Sequence, residues 1–258
     1  MIFSIIIPNY NNAYWLRGCL DSILAQKFDS HEVIFIDDMS TDGSLDIARE
    51  YIGKIKHLTI CECRRKAYNG GARNKGLAFA SGDYVLFLDS DDQLADDLCL
   101  AEVYKAIEEN NRPDLVRLSY YWCKNGEEVL NDCSAQDTVE KIVHNESVAC
   151  WTKCVKRSKV VPFPENTLME DVVQHIAQLD NVQTVAAIAK GIVKWNRDNW
   201  NSCSTDKDAQ NGKWCSSLYR YYADLLDLRV TKPECEAELG ERRIKALYNI
   251  QNSIFEQG

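Results

Sequence analysis

Two groups of acids have the type and spacing to do chemistry. Asp89-Ser90-Asp91-Asp92 sets three carboxylates within four residues, directly after the apolar run Tyr84–Leu88. Carboxylates held so close repel one another, so one keeps its proton unless a cation joins them. Hard divalent ions such as Mg²⁺ or Mn²⁺ take oxygen ligands, commonly one or two carboxylates completed by substrate phosphates. The same four residues also read as an acidic turn in which Ser90 or Asp92 caps a following helix. The second group, Glu170-Asp171, follows Pro162-Phe163-Pro164 and precedes Val172, Val173, Ile176 and Leu179, the apolar stripe of a helix. Both acids then fall in a first helical turn, where the helix dipole favours negative charge, and that alone accounts for their presence.

The elements that must position these acids alternate. Ile2–Ile7 is a β-branched run closed by Pro8, and Leu16, Leu20, Ile23 and Leu24 recur at helical spacing. Val33–Ile36 reads as a second strand, Ser44–Tyr51 as a helix, and His57–Cys61 as a third strand. Ala72–Ala80 reads as a helix stopped by Ser81-Gly82, and Tyr84–Leu88 as a fourth strand. Such alternation with short connections predicts an α/β domain, its largely parallel sheet covered on both faces. Ligands of such sheets gather beyond the carboxyl ends of the strands, where Pro8-Asn9-Tyr10-Asn11, Asp37-Asp38 and the 89–92 acids lie. Farther on, Leu98–Glu109 reads as a helix and Leu115–Trp122 as a strand with a hairpin turn at Asn125-Gly126. Val148–Val155 and Val182–Trp195 are candidate strands around a helix starting near Met169.

Composition excludes several classes. The 258 residues carry 30 basic and 39 acidic side chains, a net charge of −9, against broad binding to nucleic acid or an anionic bilayer. At 45% hydrophobic, the chain can bury a sizeable core. The 11 cysteines have irregular spacing with no paired Cys-x-x-Cys knuckles, which argues for a reducing compartment rather than zinc. Met1–Ile7 is too short for a signal segment, and no run approaches the roughly 20 apolar residues of a spanning helix.

Four stretches occur in order: SIIIPNYN from Ser4, EVIFIDDMSTD from Glu32, NGGARNKGL from Asn69 and SGDYVLFLDSDD from Ser81. Together they resemble the inverting sugar transferases of glycosyltransferase family 2, which have the GT-A fold: a mostly parallel, Rossmann-like sheet flanked by helices. The resemblance covers about the first 95 residues, with a weaker patch from Cys150 to Ser204. It implies that Pro8, Tyr10 and Asp38 line the base and ribose of a nucleotide, Asp38 accepting from the base ring, while Asp37 holds the turn. It implies that Arg73, with Asn69 nearby, meets the nucleotide or its phosphates, that Asp89 approaches ribose or metal, and that Asp91 is the principal ligand of a Mn or Mg ion. Without the family, Arg73 reads as a surface helix charge, and Pro8 and Tyr10 as the end of a strand.

In the second half, the family's Glu-Asp pair falls on Glu170-Asp171. The resemblance implies that Asp171 deprotonates the acceptor hydroxyl and that Glu170 contacts the transferred sugar. Trp151-Thr152-Lys153 resembles a motif beside the sugar site, giving Trp151 and Lys153 acceptor or sugar contacts, although a Trp in an apolar strand more often belongs to the core. Trp195 to Ser204 resembles a loop that closes over the donor diphosphate, with Arg197, Ser202 and Ser204 as donors. The chain departs from the family there, at Asn196 and Trp200.

The implied activity is inverting transfer from a nucleotide-sugar, UDP favoured, to a glycan or lipid-linked acceptor by metal-assisted single displacement. The implied organisation is a GT-A catalytic domain over 1–205, with a nucleotide-binding half at 1–95 and an acceptor half at 96–205, then a helical extension over 206–258. That extension, with apolar stripes through Leu218, Tyr221, Leu225 and through Ile244, Leu247, Phe255, covers the core, forms a homo-oligomer or touches a membrane. The expected location is the cytoplasm, with a peripheral position on the inner face of the plasma membrane.

Competing classes lack their signatures. A nicotinamide enzyme needs glycines in the first strand-to-helix turn, and a P-loop enzyme needs Gly-x-x-x-x-Gly-Lys-Ser/Thr; neither is present. A glycosidase would use two carboxylates but needs no nucleotide site. A nucleotidyltransferase usually carries a Gly-rich basic loop after its first strand, absent here. A non-catalytic nucleotide- or sugar-binding partner subunit is the remaining alternative, and it would be expected to have lost these acids.

Overall fold

The computed structural model describes residues 1–143, 149–165 and 170–200. The chain begins β1 (Phe3–Asn9), α1 (Ala13–Leu24), β2 (His31–Asp37), α2 (Ser44–Arg49), β3 (Leu58–Glu62), α3 (Tyr68–Phe79) and β4 (Tyr84–Phe87). It continues β5 (Gln93–Leu94), α4 (Cys99–Glu109), β6 (Leu115–Lys124), β7 (Glu127–Asn131) and α5 (Val139–Val143). A 3₁₀ turn at Cys150–Thr152 leads into β8 (Lys153–Lys156), and a second turn at Arg157–Lys159 precedes α6 (Glu170–Asn181) and β9 (Val185–Asn196).

The described strands form one nine-stranded sheet in the order β3-β2-β1-β4-β8-β6-β9-β5, with β7 added on β6. The expected α/β sheet is present, but its parallel character is confined. β3, β2, β1 and β4 are mutually parallel, whereas β8 is antiparallel to both β4 and β6, and only β6 and β9 are parallel beyond it. The central strands are buried on both faces, so side chains alternate between two cores. Phe3, Ile5 and Ile7 of β1 join Val33, Phe35, Leu86 and the α1 residues Leu16, Leu20 and Ile23 on one side. Ile6, Ile34, Ile36, Val85 and Phe87 meet Ala72 of α3 and Phe163 on the other.

Three local readings change. The helix expected from Ala72 starts at Tyr68. After the acids at 89–92 comes the short strand β5, not a helix, so neither Ser90 nor Asp92 is a cap. The candidate strand Val148–Val155 is a 3₁₀ turn followed by β8, with 144–148 outside the described residues. The hairpin stands: Asn125 (φ 52°) and Gly126 (φ 80°) both take positive φ between β6 and β7, the geometry of a tight type I′ turn. Ser202, Ser204 and the whole 206–258 segment lie outside the described residues. Among the described residues the eight cysteines are free thiols, and no helix is long and apolar enough to cross a membrane.

Candidate active site

The carboxyl ends of β1, β2 and β4 deliver their polar residues to one edge of the sheet. At the last residue of β1, Asn9 donates from Nδ2 to Asp37 Oδ1 (3.1 Å) and Ser40 Oγ (3.0 Å), and Asp37 Oδ2 accepts from Ser40 N (2.9 Å). Asp37 therefore holds the turn after β2. Asp38, also buried, faces α3 instead: its Oδ1 accepts from Ala67 N (2.7 Å) and its Oδ2 from Tyr68 N (2.9 Å). These are backbone N–H groups at the start of a helix, where a carboxylate is favoured. Lys66, which sequence reading did not single out, sets its ammonium 3.2 Å from Asp38 Oδ2 and 2.7 Å from the centre of the Tyr10 ring. Tyr10 is exposed and Pro8 buried in β1. Tyr10, Asp38 and Lys66 thus form one cluster at the end of β1 and β2.

Arg73 is where the structure departs most from a residue-by-residue reading. It is not a surface charge: only 3% of it is exposed. From α3 its Nη2 donates to Asp89 Oδ1 (2.7 Å), at the end of β4, and its Nη1 donates to Glu170 at the start of α6. Its guanidinium also stands 5.3 Å over the Phe163 ring. A guanidinium fork suits two carboxylates at once. Arg73 therefore ties the acid turn to the helix carrying Asp171, and its contacts here are carboxylates. Nε of Arg73 is buried without a partner.

The rest of NGGARNKG sets the same junction. Asn74 donates from Nδ2 to Phe163 O (2.8 Å) and accepts at Oδ1 from Phe163 N (2.8 Å), clamping the chain that leads to α6. Gly70 approaches that chain so closely that a Cβ there would lie 2.1 Å from Pro164 O. Asn69 sits half-buried in the first turn of α3. Glu170 is buried while Asp171 keeps partial exposure. Burial pushes the Glu170 carboxyl up to about 7, the Arg73 guanidinium opposing and Asp171 adding to the rise.

The acids of the turn have distinct tasks. Asp92 is buried, and its Oδ1 accepts from Asn196 N (2.8 Å), fastening the end of β9; burial, Asp91 and Asp89 push its carboxyl well up. Asp91 keeps some solvent exposure, and its Oδ2 accepts from Asn199 Nδ2 (2.7 Å). Loss of water and the charge of Asp89 push Asp91 up to about 6, with Asn199 acting the other way. Asn199 and Asn12 are functional candidates that sequence reading missed; the Asn9-Tyr10-Asn11-Asn12 run was the visible signal.

The residues fit a divalent ion of the kind the resemblance implies. No group of three or more His, Cys, Asp or Glu side chains among the described residues forms an all-protein cage. Asp91, with Asp89 beside it, is instead a short acidic grip at the end of a strand, the donor set that Mg²⁺ or Mn²⁺ completes with phosphate oxygens and water. A cation beside a carboxyl pushed upward by burial and a neighbouring acid would offset that push.

The expected sugar contacts of the second half, Trp151 and Lys153, are both buried. Trp151 is core: it is 4% exposed, with its ring centre 5.0 Å from that of Tyr120 and 5.5 Å from that of Trp195. Lys153 is buried on β8, its Nζ donating to Ala149 O (2.8 Å); burial, with Arg117 adding, pushes its ammonium down to about 7. Neither reaches open surface. Arg197 is exposed and stacks 4.4 Å over Trp195.

Comparison with known proteins gives the same answer. Residues 4–131 match the family model described as glycosyl transferase family 2. The poly(ribitol-phosphate) beta-glucosyltransferase of Bacillus spizizenii is 39% identical over 103 residues, 39% of this chain and 16% of that protein. The minor teichoic acid biosynthesis protein GgaB of Bacillus subtilis is 30% identical over 242 residues, 88% of this chain and 26% of that one. The chain thus spans about a quarter or less of the length of either relative. The S. aureus TarS 1-349 structure in complex with UDP-GlcNAc superposes with a TM-score of 0.78 at 22% identity, covering 99% of this chain and 73% of that one. The mannosyltransferase PcManGT of Pyrobaculum calidifontis, in complex with GDP-Man and Mn²⁺, gives 0.65 at 17% identity over 97% and 73%. With the acids at the strand ends, the sheet order and these matches in agreement, the chain has the GT-A fold and belongs to glycosyltransferase family 2.

Proposed function

We propose that this chain is an inverting glycosyltransferase that moves a sugar from a UDP-sugar to a hydroxyl of a glycan or lipid-linked acceptor. The observation that carries the reading is the Arg73 tie. One buried guanidinium holds both the acid turn at Asp89 and the Glu170-Asp171 helix start, so the metal-and-diphosphate side and the base side share one rigid junction. The bound UDP-GlcNAc in TarS and the beta-glucosyltransferase relative support the donor and the stereochemistry. The teichoic acid relative supports a surface-polymer acceptor.

In this reading Tyr10, Asp38 and Lys66 receive the nucleoside, and Asp91 faces the diphosphate. A Mn²⁺ or Mg²⁺ ion, when bound, would supply Lewis-acid neutralisation of the charge developing on the leaving group. Asp171 takes the proton of the acceptor hydroxyl. The freed oxygen bonds to the anomeric carbon as the bond from that carbon to the diphosphate oxygen breaks, and the electron pair leaves with UDP. Attack opposite the leaving group turns an α-linked donor into a β-linked product. Glu170, buried and paired with Arg73, keeps the Asp171 turn in register. A lipid-linked acceptor would put the protein at the cytoplasmic face of the membrane.

Replacement of Asp171 by Asn tests the assignment, with transfer and UDP binding measured on the same sample. Loss of turnover by about 10²–10⁴-fold with unchanged UDP affinity is expected. Near-normal turnover would remove Asp171 from the role of base. UDP binding without turnover by the unmodified chain, across sugar donors, would instead favour a non-catalytic binding subunit.

A further inference from the structure

The segment that follows β9 returns to the loop after β1 across 187 residues of sequence. Asn199, 3% exposed, donates from Nδ2 to Asp91 Oδ2 (2.7 Å) and to Asn12 Oδ1 (3.2 Å). An amide nitrogen carries two hydrogens, so both bonds form together. Asn12 in turn donates from its own Nδ2 to Ser90 Oγ (2.9 Å), the residue between Asp89 and Asp91. Two amides therefore bridge the turn at Ser90 and at Asp91.

The next residue anchors the bridge. The Trp200 ring centre lies 4.8 Å from that of Tyr14 and 5.4 Å from that of Trp15, which are 4.7 Å apart at the start of α1. Trp200 is 66% exposed and Tyr14 72%, so this cluster sits at the surface rather than in the core. Rings in such contact add attraction beyond the area they bury. Asn12, Trp15, Asn199 and Trp200 line a shared cleft of about 270 Å³ beside the acid turn.

We propose that Asn199 is a positioning residue for Asp91, held in place by the Trp200–Tyr14–Trp15 contact, so that seating of residues 197–200 sets how well the acid turn binds a divalent cation with a nucleoside diphosphate. This rests on the reading of Asp91 as the carboxylate that faces metal and diphosphate. Groups that orient a ligating carboxylate are worth about 10–100-fold in metal affinity. Asn199 has that place here.

The test is an EPR titration of Mn²⁺ into the full chain with UDP present, for the unmodified protein, Asn199→Ala and Trp200→Ala. Asn199→Ala is expected to weaken Mn²⁺ binding about 10–100-fold. Trp200→Ala is expected to weaken it by a smaller factor, although no ligand of the ion has changed. In turnover, saturating Mn²⁺ should restore most of kcat in both variants, an effect on binding that a folding defect would not give. Unaltered Mn²⁺ affinity in Asn199→Ala overturns the inference while leaving the function intact. Should Asn199→Ala fold poorly, the surface variant Trp200→Ala decides alone, and unchanged affinity there overturns the anchoring role. Failure of the unmodified chain to bind Mn²⁺ at any UDP concentration overturns the reading of Asp91 and this inference with it.

Discussion

The two halves of the sheet deliver their site residues by different means. In the parallel half, β3-β2-β1-β4, polar residues are presented by backbone direction: each strand points its carboxyl end at the same edge. In the mixed half no such rule operates. Glu170 and Asp171 arrive on a helix placed by Arg73, Asn74 and the close approach at Gly70, and Asn199 arrives through two hydrogen bonds from its side-chain amide. One half positions its chemistry by topology, the other by side-chain ties across the junction. The second arrangement should therefore be the easier to break by single substitutions.

The largest effect on stability should come from Arg73→Met. It leaves Glu170 and part of Asp89 without their cation in a buried setting, a loss of about 3–5 kcal/mol, read by urea unfolding. An unchanged midpoint would show that the halves are not joined there. Gly70→Ala should follow at about 1–3 kcal/mol, because the added methyl meets the Pro164 carbonyl and must push back the chain leading to α6. If it unfolds like the parent, the close approach does not position the chain leading to α6.

A pH series sharpens the contrast inside the mixed half. Burial lowers Lys153 to about 7, so above that pH the folded chain gives up a proton that the unfolded chain keeps up to the ordinary lysine range. Stability from this group therefore rises with pH above 7, by at most about 1.4 kcal/mol per unit. Lys153→Met should remove that slope, narrowing its advantage over the parent between pH 7 and 9; parallel curves would show that Lys153 stays charged. The smallest effect belongs to the parallel half's surface. Arg17→Ala breaks an exposed pair with Glu50 and should leave the melting midpoint unmoved.

These differences explain what could be read in advance. Ile2–Ile7, Val33–Ile36 and Tyr84–Leu88 announced themselves because continuous β-branched and apolar runs are the mark of a strand buried on both faces, and the acids behind them marked the site edge. The turn at Asn125-Gly126 was legible because its backbone demands positive φ. The antiparallel insertion of β8 was not, since pairing partners leave no local trace. Arg73 read as a surface charge because its carboxylate at Glu170 lies 97 residues away, and its helix, rich in glycine, has only a weak apolar stripe. Trp151 carried a motif's expectation, but its neighbours Tyr120 and Trp195 come from β6 and β9, and only the folded sheet shows that they enclose it. Asn12 and Asn199 are small polar residues whose partners are distant in sequence, so type alone gave them no role.

The central claim, single displacement at the anomeric carbon with the junction intact, can be read from stereochemistry. UDP- and GDP-sugars are incubated with the full chain and Mn²⁺, water serving as acceptor, and the first-released sugar is followed by proton NMR before it mutarotates. The account predicts turnover of a UDP-sugar with the β anomer appearing first from an α-linked donor. Appearance of the α anomer first would contradict it.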